Sequence, residues 1–233
     1  MKREECHERV LRNLEKEYHL SGEVDALVEF TEDGPSHWEK YLDANTPRIV
    51  FLAKDAHSSF HPSTPIKING RFGINIGKWA SALFNINRDI ENKYIENLQE
   101  AYDTIAIVEV KKIDGETRAV DVDLRKFAWI GREFLKDQLE ILEPHIVICC
   151  GTLEYFDIIF NYSAEERLLF EKEIYSNGDL RCWVSDNKLV VSFFHPSASK
   201  NSDEMLDEIK AFVTNDIVKQ AYLDIISKAR FIN

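Results

Sequence analysis

Apolar residues recur every three or four positions in five segments of the chain, and this spacing predicts helices. These segments are residues 5–20, residues 74–86, residues 124–142, the stretch after Gly151-Thr152 that carries Leu153, Phe156 and Phe160, and a long C-terminal helix from about Ser202. Each also carries polar residues between its apolar positions, so each is expected to bury one side and expose the other.

Short runs rich in β-branched and aromatic residues predict buried strands. They are RIVFLAK (48–54), residues 104–110, HIVICC (145–150) and KLVVSFF (188–194), the last forming a hairpin with RCWV (181–184) across the tip SDN. Strands and helices alternate along the chain, which predicts the α/β class: a three-layer α/β/α sandwich around a four-stranded, mostly parallel sheet. At 233 residues, we expect residues 1–233 to form a single domain.

Polar residues stand where the predicted strands end. Asp55 follows the first strand, Glu109 lies at the end of the second, Gly151-Thr152 follows the third and His195 follows the last. In open α/β sheets, ligands bind outside the carboxyl ends of the strands. A long loop rich in serine and proline follows Asp55, and loops of this length in compact domains are often functional. We therefore expect these residues to share one site.

Each of these residues also has a structural interpretation. Asp55 is the kind of residue that caps a helix or forms a turn. Glu109 is expected to form an ion pair with Lys111 or Arg71 if it does not contact a ligand. His195 stands before Pro196, so it is also a candidate for a purely structural turn.

Net charge limits the expected partners. The formal net charge is −12, which argues against a nucleic-acid footprint over the whole surface. A local basic groove is compatible with it. The candidates are Lys111 with Lys112, Arg71, Lys78 and Lys200, of which Arg71, Lys111 and Lys200 are expected to contact nucleic acid. The N-terminal MKREECHERV is charged and the chain has no apolar run long enough to cross a bilayer, so we expect a cytoplasmic protein without membrane contact.

Several common site motifs are missing from the sequence. It has no GxGxxG, no P-loop and no GxSxG, so it lacks the usual dinucleotide, nucleotide triphosphate and α/β-hydrolase fingerprints. His57 and His61 have the spacing of a helical zinc site, but the serines and Pro62 around them favour a loop. The four cysteines show no CxxC pairing. We therefore expect neither a metal nor a cofactor.

Four segments, in chain order, resemble motifs of the uracil-DNA glycosylase superfamily, and the likeness runs from about Arg48 to Ile209. The segments are FLAKDAH, IAIVEVKK, LEPHIVICCGT and FFHPSASK, of which the last is the most specific because it contains the family's His-Pro-Ser motif. The segments RFGINIGKW and VKKIDG are most similar to those of uncharacterised bacterial members of the superfamily.

The resemblance implies a DNA glycosylase that hydrolyses the N-glycosidic bond of a base flipped out of the helix. Asp55 would activate the attacking water and stabilise positive charge at the sugar. His195, as a neutral imidazole, would donate a hydrogen bond to the departing base. Ser197 would hold a phosphate.

The remaining substrate contacts implied by the resemblance lie in the first two motifs. Lys54 and His57 flank the aspartate, Phe60 would stack on the base, and Glu109 would read the base edge. DNA would be bound through the local basic groove alone, and any protein partner stays open.

Three departures from the family motifs affect the expected activity. Ala56 and His57 replace a proline and an aromatic residue, and Ala198 and Ser199 replace a leucine wedge. Glu109 stands where an asparagine often reads uracil. An ionised carboxylate only accepts hydrogen bonds, so an amine-bearing or modified base fits better than uracil. The alternatives are a non-catalytic nucleic-acid or protein-binding module of the same fold and a hydrolase of free nucleosides or nucleotides.

Overall fold

Eight α-helices and seven strands form the part of the chain that the structure describes. The computed structural model describes residues 2–22, 30–31, 33–43, 45–56, 70–87, 97–114, 121–160, 173–185 and 187–232. The helices are α1 Arg3–Leu20, α2 Trp38–Tyr41, α3 Gly70–Leu83, α4 Leu98–Asp103, α5 Asp121–Leu142, α6 Leu153–Ile159, α7 Ser202–Thr214 and α8 Asp216–Ile232. The strands are β1 Gly34–Pro35, β2 Ile49–Ala56, β3 Ala106–Asp114, β4 Ile146–Cys150, β5 Glu173–Asn177, β6 Leu180–Ser185 and β7 Lys188–Phe193, and a 3₁₀-helix spans Phe84–Asn87.

All seven strands belong to one mixed sheet in the order β1-β3-β2-β4-β7-β6-β5. The α/β class is therefore confirmed, but the sheet is larger than the four strands we expected. Strands β3, β2, β4 and β7 are parallel, while β1, β6 and β5 join antiparallel. Two of the added strands escaped prediction because β1 has only two residues and β5, EIYSN, is mostly polar and exposed. Neither contains the apolar run that marks a buried strand.

Helices cover both faces of the sheet, and alternate residues of β2 face the two layers. Ile49, Phe51 and Ala53 pack with α3, α4, α7 and α8. Val50 and Leu52 pack with α1, α5 and α6. We call these the α3 side and the α5 side of the sheet. Because successive strand residues point to opposite faces, a central strand buried on both sides contains an unbroken apolar run.

The long C-terminal helix expected from the sequence is two helices. The backbone leaves the helical conformation at Asn215, with φ −72° and ψ 127°. The Asn215 side chain then accepts hydrogen bonds from the backbone N–H groups of Ile217 and Val218, at 3.0 and 3.2 Å. Asparagine is a preferred N-cap because its side-chain oxygen satisfies such donors. The apolar spacing runs through this break, so periodicity alone did not reveal it.

Two boundaries near the expected site also differ from the sequence prediction. Helix α3 begins at Gly70, four residues before the predicted start at residue 74. Strand β3 continues to Asp114, past the predicted end at residue 110, so Glu109 lies within the strand. Within the described residues, no helix is both long and apolar enough to span a membrane.

Candidate functional site at the carboxyl edge of the parallel strands

The register of the parallel strands shows how far each expected site residue lies from the carboxyl edge of the sheet, measured along the strands. Ala53 pairs with Glu109, and Cys150 pairs with Phe193. Because Leu52 pairs with Cys149, these two pairs lie at the same level, one residue further along the sheet. Two residues further along β2, Asp55 pairs with Lys111. Glu109 thus lies about 7 Å below the Asp55 row, at a rise of about 3.3 Å per residue. The sheet therefore places Glu109 deeper than Asp55, under the carboxyl edge.

Strands β2 and β4 are neighbours whose onward connections diverge. The helix that follows β2 is α3, on the α3 side, and β3 lies next to β2 on one flank of the sheet. The helix that follows β4 is α6, on the α5 side, and β7 lies next to β4 on the opposite flank. Open α/β sheets bind ligands in the crevice at such a reversal. The backbone of Asp55 lies one residue before the end of β2, at this reversal. About two strand spacings, or roughly 10 Å, separate β2 from β7 and the following His195.

A tight turn fixes His195 beyond the end of β7. The Ala198 N–H donates to the carbonyl of His195 at 2.8 Å, closing a four-residue turn. Pro196 occupies its second position, where the fixed φ of proline suits a β-turn. Within the turn, the Ser197 N–H donates to Nδ1 of His195 at 3.2 Å. Since a backbone N–H can only donate, Nδ1 carries the lone pair, and the neutral ring has its proton on Nε2.

Two residues from other elements approach His195. The Phe72 ring, in the first turn of α3, lies with its centroid 5.6 Å from that of the imidazole. Gly151 adopts φ +69°, a left-handed conformation that favours glycine, and its N–H donates to the carbonyl of Phe193 at 2.8 Å. A Cβ on Gly151 would lie 4.0 Å from the backbone nitrogen of His195 and 3.6 Å from Cε of Lys54. The backbone of His195 and the side chain of Lys54 therefore both lie close to Gly151.

Lys54 and Thr152 connect the end of β2 to neighbouring elements. Lys54 Nζ lies 3.6 Å from Oδ1 of Asp121, the first residue of α5, and the Lys54 side chain is 28% exposed. The buried Thr152 hydroxyl donates to the carbonyl of Leu52 at 2.7 Å. Lys54 thus lies close to Gly151, with its charge directed towards Asp121 on the α5 side.

Glu109 is buried on the α3 side, with 7% of its surface exposed. Burial, and secondarily the negative charge of Glu109, raise the pKa of Tyr102 on α4 above its usual value. Both backbone groups of Glu109 are held by side chains: its N–H donates to Oδ2 of Asp33 at 2.6 Å, and its carbonyl accepts from Nζ of Lys112 at 2.9 Å. The pairing of β1 with β3 stops at Ile107. Beyond that point the ion pair of Asp33 and Lys112 supplies hydrogen-bond partners to the backbone N–H and carbonyl of Glu109.

This ion pair belongs to a buried polar cluster on the α5 side. Gln138 Nε2 donates to Oδ1 of Asp33 at 2.6 Å and lies 2.9 Å from Nε2 of His7. Burial lowers the pKa of His7 to about 4, against the opposing effect of the Asp33 charge. The lack of a side chain at Gly34 allows β1 to pass close to His7, since a Cβ at Gly34 would lie 2.6 Å from the His7 ring. Lys112 is fully buried in this cluster, so it contributes no charge to a basic groove at the surface.

The three basic residues expected to contact nucleic acid have different surroundings. Lys200 Nζ lies 2.5 Å from Glu208 and 3.1 Å from Asp179, and the hydrogen bond with Glu208 is the main reason that the pKa of Lys200 is raised. The Arg71 guanidinium donates to the carbonyl of Lys200. Lys111 Nζ lies 5.4 Å above the Phe127 ring. Arg71 and Lys200 thus lie close together, and both interact with other groups of the protein. Lys111 lies apart from them on β3, where it pairs with Asp55 of the neighbouring β2.

Several expected site residues are only partly described. His57 and Phe60 lie outside the described residues, as does the side chain of Asp55. Ser197 is exposed, but the N–H groups of Ser197 and Ala198 are both used within the turn. These two N–H groups are therefore not available to a phosphate, whereas the Ser197 hydroxyl is exposed.

The sequence interpretation missed Asn75, Phe72 and Asp33. Asn75 is 1% exposed on α3, and its Nδ2 donates to the carbonyl of Pro196 at 2.6 Å. One signal for it was available: Asn75 falls beside Ile76 on the apolar stripe of a predicted helix, and a buried amide requires hydrogen-bond partners. Asp33 gave no such signal, because it stands in a polar loop among other turn residues.

The described residues offer no metal site, since no three His, Cys, Asp or Glu side chains among them converge. The chain was also compared with known proteins. No family model matches it. No curated protein matches it either.

Proposed function

We propose that this protein hydrolyses N-glycosidic bonds of nucleotides in DNA, with a fold of the uracil-DNA glycosylase kind. Water adds to C1′ of the sugar and the bond from C1′ to the base nitrogen breaks. The water proton passes to the Asp55 carboxylate, and the base departs with the bonding electrons and is then protonated. The products are an abasic sugar and a free base.

The observation that carries this proposal is the hydrogen bond at Nδ1 of His195, from which the tautomer of the ring is inferred. Its Nδ1 accepts from the Ser197 N–H, so the neutral ring carries an N–H at Nε2. A departing base anion needs a hydrogen-bond donor that does not itself lose a proton at neutral pH, and a neutral imidazole meets that requirement. The turn closed between His195 and Ala198 holds this donor beside the β2–β4 crevice.

Asp55 supplies the complementary charge in the proposal. Its backbone lies at the end of β2, at the sheet reversal where ligands bind in such folds. A carboxylate there accepts the proton from water and stabilises the positive charge that develops on the sugar. The two roles require different groups, an anion towards the sugar and a neutral donor towards the base.

Glu109 gives the proposal its base preference. Its position two residues below the Asp55 row, and its burial, support contact with the inner edge of an extruded base. An ionised carboxylate accepts from an exocyclic amine and repels the O4 of uracil. We therefore propose that the substrate base carries an amine, as cytosine and its modified forms do.

A second candidate is hydrolysis of a free nucleoside or nucleotide. It is favoured by the pairing of Lys200 with Asp179 and Glu208, which leaves less positive charge for a DNA backbone than the sequence suggested. The net charge of −12 acts in the same direction. The cytoplasmic location expected from the sequence suits either substrate and remains part of the proposal.

The test is a panel of single-stranded and double-stranded oligonucleotides, each with one normal, deaminated or modified base, incubated with the protein and then treated with alkali to cleave abasic sites. Free nucleosides and nucleotides are assayed in parallel by mass spectrometry of the released base. Cleavage of an oligonucleotide supports the proposal, and base release from free nucleotides alone supports the second candidate. DNA binding without release of any base would indicate a non-catalytic module.

A further inference from the structure

Three residues of α3 contact the stretch from Pro196 to Asp203, which follows His195 and runs into α7, and they lie on one stripe of the helix. Arg71, Asn75 and Lys78 are spaced by four and three positions, which places them on the same side of an α-helix. Arg71 donates to the carbonyl of Lys200, and Lys78 Nζ lies 3.3 Å from Oδ1 of Asp203. We call these three residues the α3 stripe.

Asn75 is the buried member of the α3 stripe and makes two hydrogen bonds of opposite direction. Its Nδ2 donates to the Pro196 carbonyl at 2.6 Å, and its Oδ1 accepts from the hydroxyl of Ser202, the first residue of α7. A carbonyl can only accept, so the orientation of the amide is determined by its partners. Asn75 thereby joins the His-Pro-Ser turn to the start of α7.

The outer members of the stripe are less buried than Asn75, and their contacts are of a weaker kind. Arg71 is exposed, the Lys78 side chain is 30% exposed, and the Asp203 side chain that faces Lys78 is 81% exposed. Ion pairs between exposed side chains contribute little, whereas a buried amide with both functions satisfied fixes its neighbours closely. Among the three, Asn75 is therefore the residue on which the position of the turn depends.

We infer that Asn75 is the positioning residue for His195: its hydrogen bond to the Pro196 carbonyl fixes the turn in which the Ser197 N–H meets Nδ1, and so keeps the His195 proton on Nε2. Asn75 does not touch substrate in this account. The structural part of the inference stands on the contacts alone, and its catalytic consequence rests on the function proposed above.

The test compares Asn75→Asp with a matched control, Asn85→Asp. Aspartate keeps the acceptor for Ser202 but, when ionised, cannot donate to Pro196. Asn85 lies ten residues further along, where its Nδ2 donates to the Ser81 carbonyl at 3.0 Å, so its variant loses a similar bond far from His195. The readout is the ¹⁵N signals of the His195 ring, which distinguish the two neutral tautomers.

We expect wild type and Asn85→Asp to show the Nε2–H tautomer of His195, and Asn75→Asp to show a mixture of tautomers. In base release, Asn75→Asp should lower kcat by about 10- to 100-fold with little change in KM, because displacement of a catalytic group by about 1 Å has effects of this size. Unchanged His195 signals in Asn75→Asp would overturn the inference, whether or not the protein is an enzyme.

A second variant covers the case in which Asn75→Asp does not fold. Ser202→Ala removes the donor to Asn75 Oδ1 and is expected to move the His195 signals in the same direction by a smaller amount. Unchanged signals in a folded Ser202→Ala, with Asn75→Asp unfolded, would also overturn the inference. Altered signals together with a wild-type protein that releases no base would leave the positioning of His195 supported and the proposed function refuted.

Discussion

At the scale of single residues, Asp55 and His195 are proposed to act on opposite sides of one glycosidic bond. Asp55→Asn should reduce base release by at least about 10²-fold, because an amide neither accepts the water proton nor stabilises the positive sugar. Oligonucleotide affinity should stay within a few-fold of wild type. Single-turnover kinetics and fluorescence anisotropy measure the two effects separately.

The control for this variant is Asp207→Asn. Asp207 is exposed on α7 and pairs with Lys210, away from the crevice, so the same change of charge there should leave both quantities unaltered. If Asp55→Asn keeps its turnover, the carboxylate is structural and the proposed mechanism is wrong.

Glu109 is predicted to select the base. Glu109→Asn replaces an acceptor-only group with one that both donates and accepts, so release of uracil should rise relative to release of an amine-bearing base. A mismatched buried hydrogen bond costs about 1–3 kcal/mol, which corresponds to about 5- to 150-fold in the ratio of the two rates. Competition between two labelled oligonucleotides in one reaction measures this ratio directly. Efficient uracil release by wild type, unchanged in Glu109→Gln, would exclude the role.

Residues differ in how far the sequence could predict them. His195 was predictable because Pro196 and Ser197 follow it directly and form the turn that holds it. Asn75 and Asp33 act through partners 121 and 76 positions away, Pro196 and Glu109, and no local pattern contains such a contact. Their roles follow only once the strands are assembled.

At the scale of elements, the break between α7 and α8 provides a test of local structure. The Asn215 side chain accepts from the N–H groups of Ile217 and Val218 at the start of α8. Asn215→Ala should lower the free energy of unfolding by about 1 kcal/mol, the usual effect of losing an N-cap side chain. Urea denaturation measures this, with Asn215→Asp as the control that keeps the cap. Equal stability of wild type and Asn215→Ala would mean that packing alone sets the break.

The elements that the sequence predicted well share one property. Strands β2, β3, β4 and β7 lie inside the sheet and are rich in buried apolar residues. A strand covered on both faces contains a nearly continuous run of such residues, and this run can be recognised in the sequence. The short β1 and the polar β5 lack it, because an edge strand is held by its neighbour's backbone rather than by burial. The carboxyl edge was therefore predictable, while the full width of the sheet was not.

At the scale of the whole molecule, two buried histidines predict how stability depends on pH. Burial lowers the pKa of His7 to about 4 and that of His145 to about 4, both below the usual value of 6.5. Between these values the unfolded chain binds more protons than the folded one, so stability falls as pH decreases from 6.5 towards 4. Each shift corresponds to roughly 3 kcal/mol.

Urea unfolding of wild type and His145→Gln across this window isolates one of the two histidines. Nδ1 of His145 accepts from the Arg48 N–H at 3.1 Å, and a glutamine offers an acceptor in its place. The variant should lose less stability than wild type as the pH is lowered. Identical pH dependence in the two proteins would show that His145 is not held neutral.

The acidic surface makes a further prediction about DNA. If only a local groove binds the DNA backbone, few phosphates are contacted. The logarithm of the association constant should then fall only slowly with the logarithm of the salt concentration, with a slope of about 0.9 for each phosphate contacted. Lys111→Ala should weaken binding and reduce that slope, because Lys111 lies beside Asp55 in the sheet. Lys210→Ala, on α7 and paired with Asp207, is the control. An unchanged slope in Lys111→Ala would place the DNA elsewhere.

In the proposed reaction, a neutral His195 and an ionised Asp55 act together to release a base from DNA. The most direct measurement is mass spectrometry of free bases from an oligonucleotide panel treated with wild type, Asp55→Asn and His195→Ala. Wild type should release an amine-bearing base, and either variant should lose at least about 10²-fold of this activity. No base released from any oligonucleotide by wild type, or equal release by all three proteins, would contradict it.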